Sequence, residues 1–336
     1  MKRFAQPGRV TITDVAKAAE VSKTTVSHVL SGKRPVATST RERVEAAIRQ
    51  LGYRPDGLAR SLRTRRTHVV ALIIPDLTNP YYPLLARGLE DGTDGDYRTF
   101  ICNTDGSFER EEEFLQEVTD RRADGIVLDS FAMKPERVGA IVPPGVAVVR
   151  IGTTVIDDPG YDTVHADDER GAFDAVMHLV DKGHRRIAMI QGPPGAGGKR
   201  NVGYETALRS AGIPPNPDHV ISGEWTRPGG AEAARMLLSI PEPPSAIFCA
   251  NDLIALGVMD TARDLGLQIP DDLALVGFDD IESAAMVSPA LTTVANPAYE
   301  TGLLAGILLR ERMSGQYRDS PRTVTLPCRL IERATT

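Results

Sequence analysis

No stretch of the 336-residue chain approaches the roughly 18 consecutive apolar residues of a membrane-spanning helix. Met1-Lys2-Arg3-Phe4 runs on into polar residues rather than an apolar signal core, so the chain is expected to stay in the cytoplasm, with no membrane partner. Cysteine is scarce. Cys102, Cys249 and Cys328 are far apart, without C-x-x-C spacing, and read as reduced core thiols. The histidines, His28, His68, His165, His178, His184 and His219, show neither H-E-x-x-H nor any paired metal spacing. No G-x-S-x-G elbow occurs, and the glycine-rich run from Gly192 to Arg200 departs from a phosphate-binding loop at Pro193 and at Arg200. No catalytic residue, metal or cofactor is therefore expected, and the chain reads as a non-enzyme.

What is present describes a soluble globular protein with ample core, 41% apolar and 25% charged, long enough for two or three domains. Its net charge of −6 conceals an asymmetry. Residues 1–66 hold 15 Lys and Arg against 5 Asp and Glu, a net of +10, whereas the remainder holds 24 against 40, a net of −16. A basic head on an acidic body points to a polyanionic partner at one end only.

Within the head, Thr11-Ile12-Thr13-Asp14 has the form of a capping box, and Ile12, Val15, Ala16 and Ala19 then repeat at helical spacing. After a tight connection at Glu20-Val21, Ser22 is placed to cap a second helix, in which Val26, Val29 and Leu30 make a dry face. Lys23, Thr24, Thr25, Ser27 and His28 supply hydrogen-bonding groups outside that face. A third helix begins at Thr38 or Ser39, carries Val44, Ala47, Ile48 and Leu51, and closes at Gly52. Three short helices with a tight turn between the first two form a helix-turn-helix unit, whose second helix presents its N-terminal residues to base edges in the major groove. Lys23 suits guanine O6 and N7, Thr24 and His28 suit base edges or phosphates, and Thr25 and Ser27 suit phosphates.

From His68 onward, strand-length apolar runs alternate with helical patterns of 12 to 18 residues, in two sets divided at about Val164. That alternation predicts an α/β body with a parallel sheet in each of two lobes and ligands at the C-terminal ends of the strands. Those ends carry Pro75-Asp76, Asn103-Thr104-Asp105, Asp129-Ser130, Gly192-Pro193, Trp225, Asn251-Asp252 and Asp279-Asp280. Carboxylates, amides and an indole are the groups that hold polyols.

The run ITDVAKAAEVSKTTVSHVLSG, followed by TRERVEAAIRQLGYRP, resembles the DNA-binding head of the lactose-repressor (LacI/GalR-type) family of bacterial transcription regulators. The likeness continues through IPDLTNPYYPLLARGLE, GKRNVGYETAL, GEWT, CANDLIALG and GFDD, and so covers nearly the whole chain. It implies a helix-turn-helix domain over residues 1–55, a hinge over 56–66, and a two-lobed periplasmic-binding-protein-like effector and dimerisation domain over 67–336. Lobe 1 is expected at about 67–164 and 296–321, and lobe 2 at about 165–295 and 322–336.

Residue by residue, the resemblance makes Lys23 and Thr24 the specificity pair of a DNA contact set that also holds Thr11, Ser22, Thr25, Ser27 and His28. In the hinge, Leu62 takes the position of a leucine that wedges between base pairs in the minor groove, Ala59 that of the small residue where two hinges meet, and Arg63 adds charge toward phosphate. Asp56 and Gly57 depart from the family there; Asp56 replaces a frequent Asn, and Gly57 weakens a short helix. In the body, Arg200 corresponds to the effector-anchoring arginine, Asn251 and Asp279 to hydroxyl-binding groups, Trp225 to a stacking aromatic and Asp129 to a first-lobe contact. Tyr81 and Tyr82 fall where members place aromatics over a sugar or base, and Asp76 completes the candidate effector set. Helix capping by Asn251 and Asp279, and plain packing by Trp225, Tyr81 and Tyr82, stay open as alternatives.

The resulting expectation is a homodimeric, nucleoid-associated repressor of carbohydrate-metabolism genes, on a near-palindromic double-stranded DNA operator. A sugar or glycoside effector between the lobes would control its DNA affinity. A nucleoside or purine corepressor, or a cytosolic sugar-binding protein without operator recognition, are the alternatives. A signal peptide would be needed for a periplasmic sugar-binding protein. No heptad tail follows Arg333, so a dimer rather than a tetramer is expected.

Overall fold

Parallel strands buried on both faces dominate the larger of the two compact units into which the chain divides, Met1–Thr67 and His68–Thr336. The computed structural model describes residues 10–31, 34–53, 66–130, 133–152, 160–193 and 198–336.

The small unit holds α1 (Ile12–Ala18), α2 (Lys23–Ser31) and α3 (Thr38–Leu51). Val15, Ala16, Ala19, Val26, Val44 and Ala47 form its buried centre, with Val29, Ile48 and Leu51 partly buried around them. The turn between α1 and α2 passes through Glu20 at φ 53°, and α3 ends at Gly52 with φ 62°, a left-handed conformation that glycine adopts without steric cost. Leu30 differs from the expectation of a dry-face residue, being 38% exposed. It lies one position past Val29 on a nine-residue helix, where the three-helix core has already ended.

The first lobe of the large unit is a six-stranded sheet in the order β11-β5-β4-β3-β1-β2. Its strands are β1 (Val69–Ile74), β2 (Arg98–Asn103), β3 (Gly125–Asp129), β4 (Ala147–Ile151), β5 (Asp162–Ala166) and β11 (Thr323–Leu326), and every neighbouring pair is parallel. Helices α4 (Tyr81–Gly92), α5 (Phe108–Asp120), α6 (Pro135–Ile141) and α12 (Ala298–Ser314) accompany it. The second lobe has a four-stranded sheet in the order β7-β6-β8-β9, formed by β6 (Ile187–Gln191), β7 (Val220–Ser222), β8 (Ala246–Cys249) and β9 (Ala274–Val276). Its helices are α7 (Asp168–Asp181), α8 (Gly198–Ser210), α9 (Arg227–Leu238), α10 (Asp252–Asp264) and α11 (Glu282–Met286). A small antiparallel pair, β10 (Thr293–Ala295) with β12 (Arg329–Ile331), lies where the chain passes between the lobes.

Two points of the sequence reading require correction. β5 was not among the strand-length apolar runs, because Asp162, Thr163 and His165 interrupt its apolar character. Yet it pairs with both β4 and β11 in the first sheet. Residues 323–326, expected in lobe 2 from the resemblance, are β11 of lobe 1, since Thr323 to Leu326 pair in register with Thr163 to Ala166. Pairing across about 160 residues leaves no local trace in sequence. Asp162 reinforces the junction: it is 1% exposed and accepts bidentate hydrogen bonds from Arg312 (2.9 and 2.7 Å), with Arg322 Nη2 at 2.8 Å.

α4 and α12 touch backbone to backbone. A Cβ at Gly88 would stand 2.0 Å from the Tyr299 carbonyl oxygen, and one at Gly302 2.0 Å from that of Leu85. Among the described residues, no helix is long and apolar enough to cross a membrane.

Candidate functional site

Two regions bring the chemically suited residues together, one in each unit. On α2, Ser22 Oγ accepts the Thr25 N–H at 3.0 Å and lies 2.9 Å from Thr25 Oγ1, so Ser22 caps the helix. Thr11 donates to the Asp14 carboxylate from its N–H (2.9 Å) and from its hydroxyl (2.7 Å), bonds that hold the Asp14 carboxyl below its ordinary range. Lys23 and Thr24 stand exposed on the first turn, whereas Thr25, Ser27 and His28 are half-buried beside the fully buried Val26. The first turn thus offers an ammonium and a hydroxyl that the unit's own core does not use. Ala59, Leu62 and Arg63 lie outside the described residues.

In the large unit, Asp76, Tyr81, Tyr82, Asp129, Arg200, Trp225, Asn251 and Asp279 all line one cavity of about 130 Å³. The first lobe contributes Asp76 after β1, the Tyr81 and Tyr82 pair opening α4, and Asp129 ending β3. The second contributes Arg200 in the first turn of α8, Trp225 before α9, Asn251 before α10 and Asp279 after β9. Strand-end convergence fails for Asn103, Thr104, Asp105, Gly192, Pro193, Asp252 and Asp280, which are absent from the cavity wall. β2 is the edge strand, so its end lies beyond the cavity, and Asn103 instead accepts the Leu77 N–H at 2.6 Å.

Arg200, 9% exposed, is the electrostatic centre. Its Nη1 donates to the Ala250 carbonyl, and its Nη2 lies 3.4 Å from Asp168 Oδ1 and 3.3 Å from Asp279 Oδ1. The guanidinium stacks 3.8 Å from the centre of the Phe278 ring. Burial opposes its charge, but the two carboxylates outweigh burial and raise its pKa. Asp279 adopts φ 103°, a conformation that costs a non-glycine residue roughly 1–3 kcal/mol. It is held there by its N–H on the Val294 carbonyl (2.8 Å) and by Asn296 Nδ2, which donates to Oδ1 at 3.1 Å. Burial pushes the Asp279 carboxyl up to about 6 despite Arg200 and Asn296.

Asp129, 5% exposed, accepts a hydrogen bond from the Tyr82 hydroxyl. Burial, with Glu111 and Asp168 adding repulsion, pushes its carboxyl up to about 7. The Tyr81 and Tyr82 rings meet edge to face, 5.3 Å between centroids, and burial raises both phenols well above their ordinary value.

Asn251 combines two tasks. Its Oδ1 accepts the Ile254 N–H at 2.8 Å, capping α10, and its Nδ2 donates to the Trp225 carbonyl at 3.3 Å. Trp225 lines the cavity and also packs on the second-lobe core.

Sequence reading missed Asp168, Asn296 and Thr301. Asp168 opens α7 directly after the overlooked β5, while Asn296 and Thr301 belong to the crossing into α12. Among the described residues, Arg200 Nε, Asn296 Oδ1 and Thr301 Oγ1 are buried without a hydrogen-bond partner, the kind of group a polar ligand satisfies. No three His, Cys, Asp or Glu among the described residues are grouped to hold a metal ion.

Comparison with known proteins adds independent findings. A family model described as bacterial regulatory proteins, lacI family, matches residues 11–56, and one described as a periplasmic binding protein-like domain matches residues 176–336. The chain is 39% identical over 331 residues to catabolite control protein A of Priestia megaterium, spanning 97% of this chain and 99% of that one. A transcriptional regulator CelR–cellobiose complex is similar at 30% identity with a TM-score of 0.74, over 98% of this chain and 100% of that chain. The Lac repressor dimer bound to operator and the anti-inducer ONPF is similar at 26% identity with a TM-score of 0.87, over 98% and 99% of the two chains.

Proposed function

Because the chain belongs to the lacI family of bacterial regulatory proteins, we propose that it is a homodimeric transcriptional repressor that acts in the cytoplasm and whose hold on operator DNA is set by a sugar-like effector in the cavity. Two α2 helices, one per protomer, enter successive major grooves of a near-palindromic operator. Lys23 and Thr24 read base edges, and Ser22, Thr25, Ser27 and His28 fix the helix against phosphates together with Thr11. Leu62 wedges into the minor groove between them, Ala59 lets the two hinges approach, and Arg63 adds charge toward phosphate.

The observation that carries the reading is the position of Arg200. It is buried at the cavity, tied to two carboxylates of the second lobe, and faces Asp129, Tyr81 and Tyr82 of the first. A polyol held between those walls favours one relative orientation of the lobes. It alters DNA affinity by its differential affinity for the two states, typically about 1–3 kcal/mol. The effector releases the operator, which leaves carbohydrate genes repressed when their sugar is absent.

Fluorescence anisotropy on labelled operator DNA, with and without a sugar panel, tests this. Arg200→Ala should keep operator binding but lose its response to sugar. An unchanged response in that variant would remove the cavity from the effector role.

A further inference from the structure

Resting on the reading of the cavity as the effector site, we propose that it takes an uncharged sugar and rejects the phosphorylated or carboxylated form of the same sugar. Charge is the first ground. Among the described residues, Asp76, Asp129, Asp168 and Asp279 line the cavity, against Lys199 and Arg200 as cations. Both cations already answer carboxylates of the protein, and Arg200 Nε is the donor left without a partner. Arg200 Nη2 is shared between Asp168 and Asp279, its Nη1 is on the Ala250 carbonyl, and Lys199 Nζ lies 3.2 Å from Glu169. A phosphate entering this wall at pH 8 meets the carboxylates of Asp76 and Asp129, neither of which forms an ion pair among the described residues.

Helix N-termini are the usual alternative for binding an anion. α4, α7, α8 and α10 all begin at the cavity, and side chains of the protein cap three of the four. Asn79 accepts the Tyr81 N–H at 3.0 Å, Asp167 the Arg170 N–H at 3.2 Å, and Asn251 the Ile254 N–H at 2.8 Å.

Hydrogen-bond polarity gives a second, separate ground. The wall carries more acceptors than donors: four carboxyl groups and the partnerless Asn296 Oδ1, against the partnerless Arg200 Nε, with the Thr301 hydroxyl able to serve either way. Sugar hydroxyls donate as readily as they accept, whereas the oxygens of a phosphate dianion or a carboxylate only accept. An acceptor wall therefore selects a ligand with protons to give.

Isothermal titration calorimetry of the full chain at pH 8 with matched pairs decides the matter: glucose and glucose 6-phosphate, galactose and galacturonate, ribose and ribose 5-phosphate. The neutral member of at least one pair should bind at least 30-fold more tightly than its anionic partner. The double variant Asp76→Asn/Asp129→Asn should narrow that ratio at least threefold. An anionic sugar that binds as tightly as its neutral partner, or a ratio untouched in the double variant, overturns this proposal while leaving the cavity a sugar site. Binding by nucleosides alone, abolished by Trp225→Ala, overturns the sugar reading itself and this proposal with it.

Discussion

The indole of Trp225 rests directly on the backbone of Gly192: a Cβ there would stand 2.1 Å from Cζ2 and 2.3 Å from Cε2 of the ring. Real Cβ atoms do not approach a ring so closely, so Gly192→Ala must displace the indole from its support. Trp225 is the sole tryptophan, and its emission reports on this wall without labelling. Gly192→Ala should shift that emission and weaken the effector at least tenfold, with operator binding by the effector-free protein retained. Unaltered emission and effector affinity would refute the support role.

Asp129 sets a pH dependence. Its carboxyl titrates near 3.8 when unfolded and at about 7 in the fold. The folded state therefore binds the extra proton across that interval, and stability falls as pH rises from about 4 to about 7, then levels. Asp129→Asn removes the cost of the buried charge while keeping an acceptor for Tyr82. It should be about 3 kcal/mol more stabilising at pH 8 than at pH 5 in urea unfolding. Equal effects at the two pH values would show that Asp129 does not titrate in this window.

Ser22 and Lys23 are neighbours with separable roles. Ser22→Ala removes the α2 cap and should cost about 1 kcal/mol, seen as faster hydrogen exchange of the α2 amides. Lys23→Ala should leave exchange unchanged and alter which operator bases are preferred, by about 1–3 kcal/mol at the affected position. Binding-site selection from a random library measures the second effect; an identical consensus would exclude base readout by Lys23.

Asp252 serves the fold rather than the ligand. It is fully buried, with Thr293 Oγ1 donating to Oδ1 at 2.5 Å and the Ile281 N–H to Oδ2 at 2.9 Å, which ties α10 to the crossing strand β10. Asp252→Ala strands both donors and should lower unfolding stability by about 3 kcal/mol. A loss below about 1 kcal/mol would mean that other groups take over both donors.

The contrast between Asp252 and its neighbour Asn251 shows how far sequence carries. Both follow β8 and both were read toward the cavity, yet Asn251 alone lines it. Adjacent residues at a helix start point in different directions, which local pattern does not resolve. Periodicity gave the three short helices because their core is local, and Leu30 escaped it only because the core stops short of the end of α2. The cavity residues legible in sequence sit in contiguous motifs at strand ends, such as Asn251 or Asp279. Asp168, Asn296 and Thr301 were not legible, because their positions depend on β5, β11 and the crossing between lobes, which form through contacts distant in sequence.

The two walls of the cavity differ in how freely they can change over generations. On the second lobe, replacing Asn251 removes the cap of α10 before any ligand is considered. Arg200 anchors two carboxylates, Trp225 needs its glycine, and Asp279 sits at φ 103°. Stability selects those residues whatever the ligand. On the first lobe, Asp76 and Tyr81 are only partly buried, and Asp76 Oδ1 serves a local turn to Thr78 alone. A lineage switching from one sugar to another has its cheapest route through that wall, so descendants with different diets should differ first at Asp76 and Tyr81 and last at Asn251.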